Sequence, residues 1–175
     1  MNKWIKFFKN SPLITNHKPS HITKKNKIRE ILLQDDEYNL FLEFSHEINV
    51  MELENLCNEV GWVKRPALKV HKAIQNSFMN VSLYVEYNKS KKLIGFVRAL
   101  SDHTFNATIW DMVIHPKYQK QGLGTLMMKR VIKKLRYLEI DTITLFTHSQ
   151  NFNFYSKLGF KVDAHQTKGL FWYPQ

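Results

Sequence analysis

The sequence predicts a mixed α/β domain built of packed layers. Two patterns follow one another along the chain: segments in which apolar residues alternate, as in strands, and segments in which they recur every three or four positions, as in helices. The composition agrees, because 175 residues that are 43% hydrophobic and 23% charged suit one globular domain with a modest extra segment.

Residues 1–33 are predicted to be a basic tail, and residues 34–175 to be the folded domain. The first 29 residues contain eight basic side chains and no acidic one, and residues 10–26 contain two prolines and no periodic pattern. Two interpretations of the tail stay open, a targeting peptide and a basic extension without a fixed fold. Because no motif or strand pattern includes residues 1–30, we expect them to be dispensable for the activity of the domain.

The first half of the domain is predicted to contain one strand and two helices. Alternation places a strand at 37–44, and helical spacing places a helix at 50–60, which Gly61 ends. Pro66 suits the first turn of a second helix. The apolar residues that define these elements are Tyr38, Leu40, Leu42 and Phe44 in the strand, Leu53, Leu56 and Val60 in the first helix, and Val70, Ile74 and Phe78 in the second.

A hairpin is predicted to follow, with strands at 81–86 and 91–99 joined by a turn at 88–90. The clearest helix comes after it, because its apolar positions keep intervals of three and four over its whole length. The remaining predicted elements, in chain order, are a strand at 108–114, this helix at 122–138, a strand at 142–146, a short helix at 152–158, and strands at 160–162 and 170–173.

The turn with the sequence QKQGLG, at 119–124, follows a strand and opens the long helix. A helix N-terminus presents backbone N–H groups without intrahelical acceptors and the positive end of the helix dipole. Gly122 and Gly124 allow a ligand to approach the backbone closely. These features predict a cradle for a pyrophosphate. The turn is neither a dinucleotide fingerprint, since the third glycine and the later acid are missing, nor a P-loop, since no Gly-Lys-Ser/Thr follows.

Two strings of residues carry a family resemblance. The string VIHPKYQKQGLG, at 113–124, resembles motif A of the GNAT superfamily of N-acetyltransferases, and the string FYSKLGF, at 154–160, resembles motif B. Further strings, among them FNATIWD at 105–111 and KGLFWYP at 168–174, resemble the plastid and cyanobacterial group of that superfamily. This group includes plant serotonin N-acetyltransferases, which are also described as plastid lysine and N-terminal acetyltransferases.

The resemblance implies a GNAT fold, a mixed central sheet flanked by helices. It also implies transfer of an acetyl group from acetyl-CoA to a primary amine by direct attack in a ternary complex. Tyr155 stands where the family places the general acid that protonates the leaving thiolate. The coenzyme contacts that the resemblance assigns are Met112, Val113, Ile114, Gln119, Lys120, Gln121, Gly122, Leu123, Gly124, Thr125, Asn151 and Tyr155.

The identity of the base that deprotonates the amine stays open. Asp111 lies in a predicted strand between apolar residues, where Asp is disfavoured, so it is either this base or the acceptor of a structural hydrogen bond from a neighbouring loop. His148 stands where many family members have Asn, and is either a proton shuttle or a surface histidine. Asp102 and His103 are weaker candidates for the amine site. Trp110 is expected in the core first and in a pocket wall second.

Other classes of function are less favoured by the sequence. A net charge of +11 admits a basic nucleic-acid or acidic-surface binding module on a non-catalytic GNAT fold, but we find no groove-reading motif. No His or Cys cluster has metal-ligand spacing, and no apolar run has the length of a membrane span. The acceptor is predicted to be an arylalkylamine such as serotonin, or a protein lysine or N-terminus; a free polyamine presents the same nucleophile, and the sequence does not choose among these amines. The resemblance implies a plastid, or the cytoplasm of a cyanobacterium; the oligomeric state is not predicted.

Overall fold

The computed structural model describes residues 28–34 and 39–162. Six strands form one sheet with the order β1-β2-β3-β4-β5-β6, and four helices flank it. This architecture agrees with the predicted mixed α/β class. The strands are β1 Ile28–Gln34, β2 Asn39–Phe44, β3 Met79–Tyr87, β4 Ser90–Ser101, β5 Asn106–Ile114 and β6 Thr142–Leu145. The helices are α1 Val50–Glu59, α2 Ala67–Asn76, α3 Leu123–Tyr137 and α4 Phe152–Ser156, with single 3-10 turns at Pro116–Tyr118 and Ser149–Asn151.

The last pair of strands differs from the rest of the sheet. Strands β1 to β5 pair antiparallel with their neighbours, whereas β6 pairs parallel to β5. The pairing of β5 with β6 covers only Asn106–Ile109 on β5. The second half of β5, from Trp110 to Ile114, therefore has no described strand along this side. The two strands diverge there, and the backbone of β5 becomes an open edge in the middle of the molecule.

Strand β1 lies inside the segment that was predicted to be tail. It pairs antiparallel with β2 from Ile28↔Phe44 to Gln34↔Asn39, with a register shift between Ile31 and Leu33. The Arg29 guanidinium lies 3.5 Å from the ring centroid of Phe41, and its Nη2 is 3.3 Å from Glu86 Oε2. Among the described residues the sheet begins at Ile28. The hydrophobic run Ile31-Leu32-Leu33 belongs to this strand, although the basic residues before it favoured a tail.

Helices pack on both faces of the sheet, and a separate hydrophobic core lies on each face. On one face α3 packs through Met127, Met128, Val131 and Leu135, all buried, against the side chains of the central strands. On the other face α1 and α2 pack through Leu53, Leu56 and Ile74 around Phe41, Phe96 and Val113. The strand residues therefore face a core on both sides, and so β2 buries Phe41 as well as the predicted Leu40, Leu42 and Phe44.

Most predicted elements lie within a few residues of the observed ones. The hairpin turn is confirmed at Asn88 and Lys89, which both have positive φ (48° and 65°), the backbone of a two-residue type I′ connection. Phe78 differs, because α2 ends at Asn76 and leaves Phe78 in the connection to β3. Residues 160–162 are not a strand among the described residues, and the predicted strand at 170–173 lies outside them. No helix in the described part of the chain is long and apolar enough to cross a membrane.

Candidate active site

A cleft of about 610 Å³ opens where β5 and β6 diverge. Its walls come from both strands, from the loop between α1 and α2, and from the start of α4. The lining includes five of the predicted site residues, Asp111, Met112, His148, Asn151 and Tyr155. These predicted residues, which are up to 44 positions apart in the sequence, therefore meet in one cavity, and the open edge of β5 forms part of its wall.

The predicted cradle lies at the end of this open edge. Gly122 is the N-cap of α3 and adopts the left-handed backbone (φ 81°), which glycine adopts without strain. No side chain of the described residues caps α3, and its first turn has no acidic residue. The amides of Leu123, Gly124 and Thr125 therefore lack intrahelical acceptors and stand at the positive end of the helix dipole. The geometry suits an anion.

Side-chain hydrogen bonds hold the turn in this shape. Gln119 Nε2 donates to the carbonyl of Ile114 at 2.8 Å, and Gln121 Nε2 donates to the carbonyl of Lys117 at 3.0 Å. Between them Lys120 has a positive φ of 59°. The two glutamines bond to the chain that precedes them, so the end of β5 and the start of α3 are fixed relative to each other.

Gly124 is where the helix comes close to the strand. A Cβ placed on Gly124 would lie 3.5 Å from Met112 Cε and 3.6 Å from the ring of Phe154, which is ordinary van der Waals contact. The structure thus has room for a methyl group at this position but places it against β5 and α4. Met112, Val113 and Ile114 continue along the open edge, with the side chains of Val113 and Ile114 buried.

Tyr155 lies on α4 with a half-buried side chain that faces the cleft. Its ring packs edge-on against Phe154 and Phe160, at centroid distances of 4.9 and 5.9 Å. Burial raises the pKa of its phenol above the usual value. The hydroxyl therefore stays protonated, as a proton donor, through neutral and mildly alkaline pH.

Asp111 lies at an irregularity in the pairing of β4 with β5. Phe96 pairs with Val113 and Arg98 with Trp110, so Asp111 and Met112 together oppose one residue of β4 and form a β-bulge. Asp111 has a left-handed backbone (φ 54°), which Asp tolerates better than most residues. Its Oδ2 accepts a hydrogen bond from Arg98 Nε at 2.5 Å, and its Oδ1 accepts one from Arg65 Nη1 at 3.2 Å.

His148 precedes the 3-10 turn that follows β6, Asn151 is the last residue of that turn, and both are exposed. The backbone carbonyl of His148 accepts a hydrogen bond from the amide of Asn151 at 2.9 Å. Asn151 Nδ2 donates to Thr147 Oγ1 at 3.4 Å. These two side chains lie at the solvent end of the cleft, between α4 and the open edge of β5.

Aromatic side chains form the remaining wall. Trp110 is 37% exposed and contacts Phe146 with a centroid distance of 5.8 Å, so it lines the cleft and is not the core residue that was expected. The reason is the divergence of β5 from β6, which uncovers the side chains at this point. Trp62, from the loop between α1 and α2, completes the wall.

Asp102 and His103 do not line the cleft. The Asp102 carboxylate accepts hydrogen bonds from the amides of Asn106, Thr104 and Phe105, and these bonds lower its pKa. His103 packs edge-on against Phe78. Both residues shape the turn between β4 and β5. The described residues also contain no group of three or more His, Cys, Asp or Glu side chains that could bind a metal ion.

The residues of the site that were not identified from the sequence include Trp62, Phe146, Arg65 and Arg98. Arg98 lies 13 positions from Asp111, and Arg65 lies 46 positions away. Only the folded sheet brings them to the same carboxylate. The available signal was the carboxylate itself, because an acid inside a strand needs partners.

The sequence profile of the acetyltransferase (GNAT) family matches residues 48–160. The chain is 48% identical to an N-acetyltransferase designated ycf52 from Gracilaria tenuistipitata var. liui, over 98% of this chain and 97% of that one. It is 45% identical to the histone acetyltransferase TAP1 of Glycine max, over 73% of this chain and 58% of that one.

A third relative is the chloroplastic GCN5-related N-acetyltransferase 2 of Arabidopsis thaliana, which is 42% identical over 74% of this chain and 56% of its own length. Among solved structures, a GNAT-family acetyltransferase from Streptococcus pneumoniae superposes with a TM-score of 0.63 at 20% identity, over 78% of this chain and 98% of that one. At this identity the superposition shows a shared fold.

Proposed function

The chain belongs to the acetyltransferase (GNAT) family and is an N-acetyltransferase, and we propose that it transfers the acetyl group of acetyl-CoA directly to a primary amine bound in the cleft between β5 and β6. One observation carries the proposal: the uncapped start of α3 lies beside Met112 on the open edge of β5, and Met112 and Tyr155 line the same cavity. This order matches the pyrophosphate, the pantetheine arm and the thioester of the coenzyme.

The residues present fit the coenzyme at each of these points. The amides of Leu123, Gly124 and Thr125 would hold the pyrophosphate at the positive end of α3. The backbone of Met112, Val113 and Ile114 would pair with the amides of the pantetheine arm, because no described strand uses that edge. Acetyl-CoA supplies an activated acyl group, so attack on its carbonyl requires no metal.

Tyr155 is proposed to be the general acid. The amine nitrogen forms a bond to the acetyl carbon, the carbon–sulfur bond breaks, and the sulfur leaves with the bonding electron pair. The phenol donates its proton to that sulfur, which becomes the thiol of coenzyme A. The nitrogen loses its surplus proton as it becomes an amide, and a proton taken up through solvent restores the phenol. Its raised pKa keeps the phenol protonated for this step.

The proton of the ammonium substrate must leave before attack. Asp111 is one proposed acceptor, but each of its carboxylate oxygens already accepts a hydrogen bond from an arginine. His148 is exposed at the mouth of the cleft and can pass a proton to solvent. Of the two, we favour His148 as the shuttle.

The acceptor is proposed to be an arylalkylamine such as serotonin. Trp62, Trp110 and Phe146 give the cleft flat apolar surfaces on which an aromatic ring can pack. Among the described residues that line it, Asp111 is the one acid, and two arginines already bind that acid. A polyamine, which needs several free carboxylates, fits this cleft less well.

A protein lysine or N-terminus is the second candidate acceptor. One relative is named as a histone acetyltransferase, and the cleft is open enough to admit a side chain presented by another protein. The Arabidopsis relative is named as chloroplastic, which supports a plastid as the proposed location of this chain.

A panel of acceptors tests the proposal. Purified protein with acetyl-CoA is given tryptamine, serotonin, spermidine, a lysine peptide and a peptide with a free N-terminus, and both free thiol and acetylated product are measured. We expect arylalkylamines to give the highest kcat/KM. Preference for a peptide would support the second candidate, and absence of product with every amine would overturn the proposed activity.

A further inference from the structure

Asp111 joins three parts of the molecule. Arg98, on β4, is 12% exposed and approaches its carboxylate from the sheet, and Nη1 of the same arginine also contacts Ser77 Oγ at 3.5 Å, at the end of α2. Arg65 approaches from the other side and belongs to the loop between α1 and α2. The Arg65–Asp111–Arg98 triad thus connects that loop to the bulge of β5.

The loop has few other attachments among the described residues. The amides of Gly61 and Trp62 donate to carbonyls of α1, and Lys64 forms an ion pair with Glu54 of the same helix. Residues 61–66 are otherwise exposed. Within the part of the chain that the structure describes, Arg65 therefore provides the ion pair that ties the loop to the sheet, whereas Lys64 ties it only to α1.

The attachment of the loop to the sheet also concerns the position of Trp62. It lies three residues before Arg65, is 37% exposed, and lines the same cleft as Asp111 and Trp110. If the loop moved away from the sheet, the cleft would lose one of its aromatic walls. The loop that carries Trp62 is thus attached, through Arg65, to Asp111 of the same cleft lining.

We infer that the Arg65–Asp111–Arg98 triad positions the loop between α1 and α2, and thereby sets the affinity of the cleft for its amine. Asp111 and the two arginines are positioning residues in this assignment, and none of them transfers a proton. That the cleft binds the amine rests on the function proposed above, whereas attachment of the loop does not.

The first experiment uses Arg65→Ala with Lys64→Ala as the matched control. Each variant removes one cation from the same exposed loop, but only Arg65 pairs with Asp111. We expect faster hydrogen–deuterium exchange at the Trp62 amide in Arg65→Ala, and exchange close to wild type in Lys64→Ala and in the conservative variant Arg65→Lys. Equal exchange in Arg65→Ala and Lys64→Ala would overturn the positioning role.

Steady-state kinetics then connects the loop to the substrate. Arg65→Ala should raise KM for the preferred amine about two- to fivefold, the range for a partly exposed ion pair, with kcat and KM for acetyl-CoA unchanged. Combining Trp62→Ala with Arg65→Ala should add nothing to the effect of Trp62→Ala alone, because both act through the same wall. Additive effects, or a fall in kcat with KM unchanged, would contradict the inference.

Asp111→Asn separates positioning from proton transfer. Asn keeps the shape of the side chain and tolerates the left-handed backbone. As a positioning residue, Asp111→Asn should raise KM for the amine and leave the pH profile of kcat in place. A loss of kcat of about a hundredfold or more, recovered at alkaline pH, would identify Asp111 as the base and overturn the assignment. A wild-type enzyme that is inactive with every amine would overturn the proposed function. The hydrogen-exchange experiment would still test whether the triad positions the loop.

Discussion

Removing one oxygen atom from Tyr155 tests the proposed general acid. Tyr155→Phe keeps the ring that packs against Phe154 and Phe160, so the fold should be unchanged. We expect kcat to fall by about a hundredfold, toward the low end for general acid catalysis, because water can partly replace the phenol. Coenzyme affinity should change little, since the bond strengthens in the transition state. Tyr87→Phe, an exposed tyrosine on β3, is the matched control.

The pH dependence of the same variant follows from the raised pKa. Burial favours the neutral phenol, so Tyr155 remains a proton donor to higher pH than an exposed tyrosine. The alkaline limb of kcat in the wild type should therefore lie above the usual tyrosine pKa, and it should disappear in Tyr155→Phe. A limb that persists unchanged in the variant would show that another group titrates there.

Gly124 tests the proposed coenzyme site at the scale of one residue. Gly124→Ala has room for its methyl group, at 3.5 Å from Met112 Cε, and should bind acetyl-CoA nearly as wild type does. Gly124→Glu places a larger, negatively charged group beside the amides that are proposed to hold the pyrophosphate. We expect calorimetric titration to show affinity for acetyl-CoA weakened at least about tenfold, which corresponds to roughly 1.4 kcal/mol. Unchanged affinity in a folded Glu variant would place the coenzyme elsewhere.

Among the site residues, those defined by a local pattern could be predicted from the sequence, and those defined by distant contacts could not. The glycine turn could be predicted because its chemistry is local: six consecutive residues create the uncapped helix start. Tyr155 was identified by a local motif as well. Asp111 was recognised as unusual, yet its partners Arg65 and Arg98 could not be named, because their contact with it exists only after β4, β5 and the loop have packed.

At the scale of elements, β1 changes the expected effect of shortening the chain. A deletion of residues 1–30 would remove Ile28, Arg29 and Glu30 and break three of the pairs between β1 and β2. We therefore predict that deleting residues 1–27 leaves the melting temperature nearly unchanged. The kcat/KM for the amine, measured at moderate salt and saturating acetyl-CoA, should also stay close to that of the full chain.

Deleting residues 1–34 should have a different result. It removes the whole of β1, exposes the edge of β2 and leaves Glu86 without the Arg29 cation. Several strand hydrogen bonds are lost, at about 1 kcal/mol each, so the melting temperature should fall by roughly 5 °C or more. Differential scanning calorimetry of the two truncations measures this. Equal stability of both would mean that β1 contributes nothing to the domain.

The elements that could be predicted are those with a strong local period. Helix α3 has its apolar residues at intervals of three and four, and its observed bounds, Leu123–Tyr137, lie within one residue of the prediction. The bulge at Asp111 and the early end of β5–β6 pairing could not be predicted, because both depend on how neighbouring strands register. These two irregularities create the open edge and the cleft. The part of the sheet that forms the candidate site was therefore the part that sequence patterns predicted least.

At the scale of the whole molecule, positive charge is concentrated in two places. After Arg29 the chain has 18 basic and 15 acidic residues, and five of these basic residues, with no acid, lie in α3. The remaining basic surplus belongs to the first 29 residues. Helix α3 begins at the proposed pyrophosphate cradle, and its five basic residues follow from Lys129 onward on the same helix.

This distribution predicts that association with acetyl-CoA depends on ionic strength. Basic residues attract the phosphates of the coenzyme over a distance set by the Debye screening length. Salt shortens this length from about 10 Å at 0.1 M to about 3 Å at 1 M. The association rate, measured by stopped flow, should therefore fall as NaCl is raised, while the dissociation rate changes less.

Two variants divide this effect between the two charged regions. Deleting residues 1–27 removes seven lysines, and Lys129→Gln with Lys133→Gln removes two exposed cations from α3. If the charge of α3 guides the coenzyme, the double substitution should make the association rate less dependent on salt. Per charge removed, this effect should exceed that of the truncation, because α3 begins at the proposed cradle and electrostatic attraction falls with distance and with screening. An association rate that is independent of salt in the wild type, or a double variant with the wild-type slope, would show that binding relies on contacts within the cradle alone.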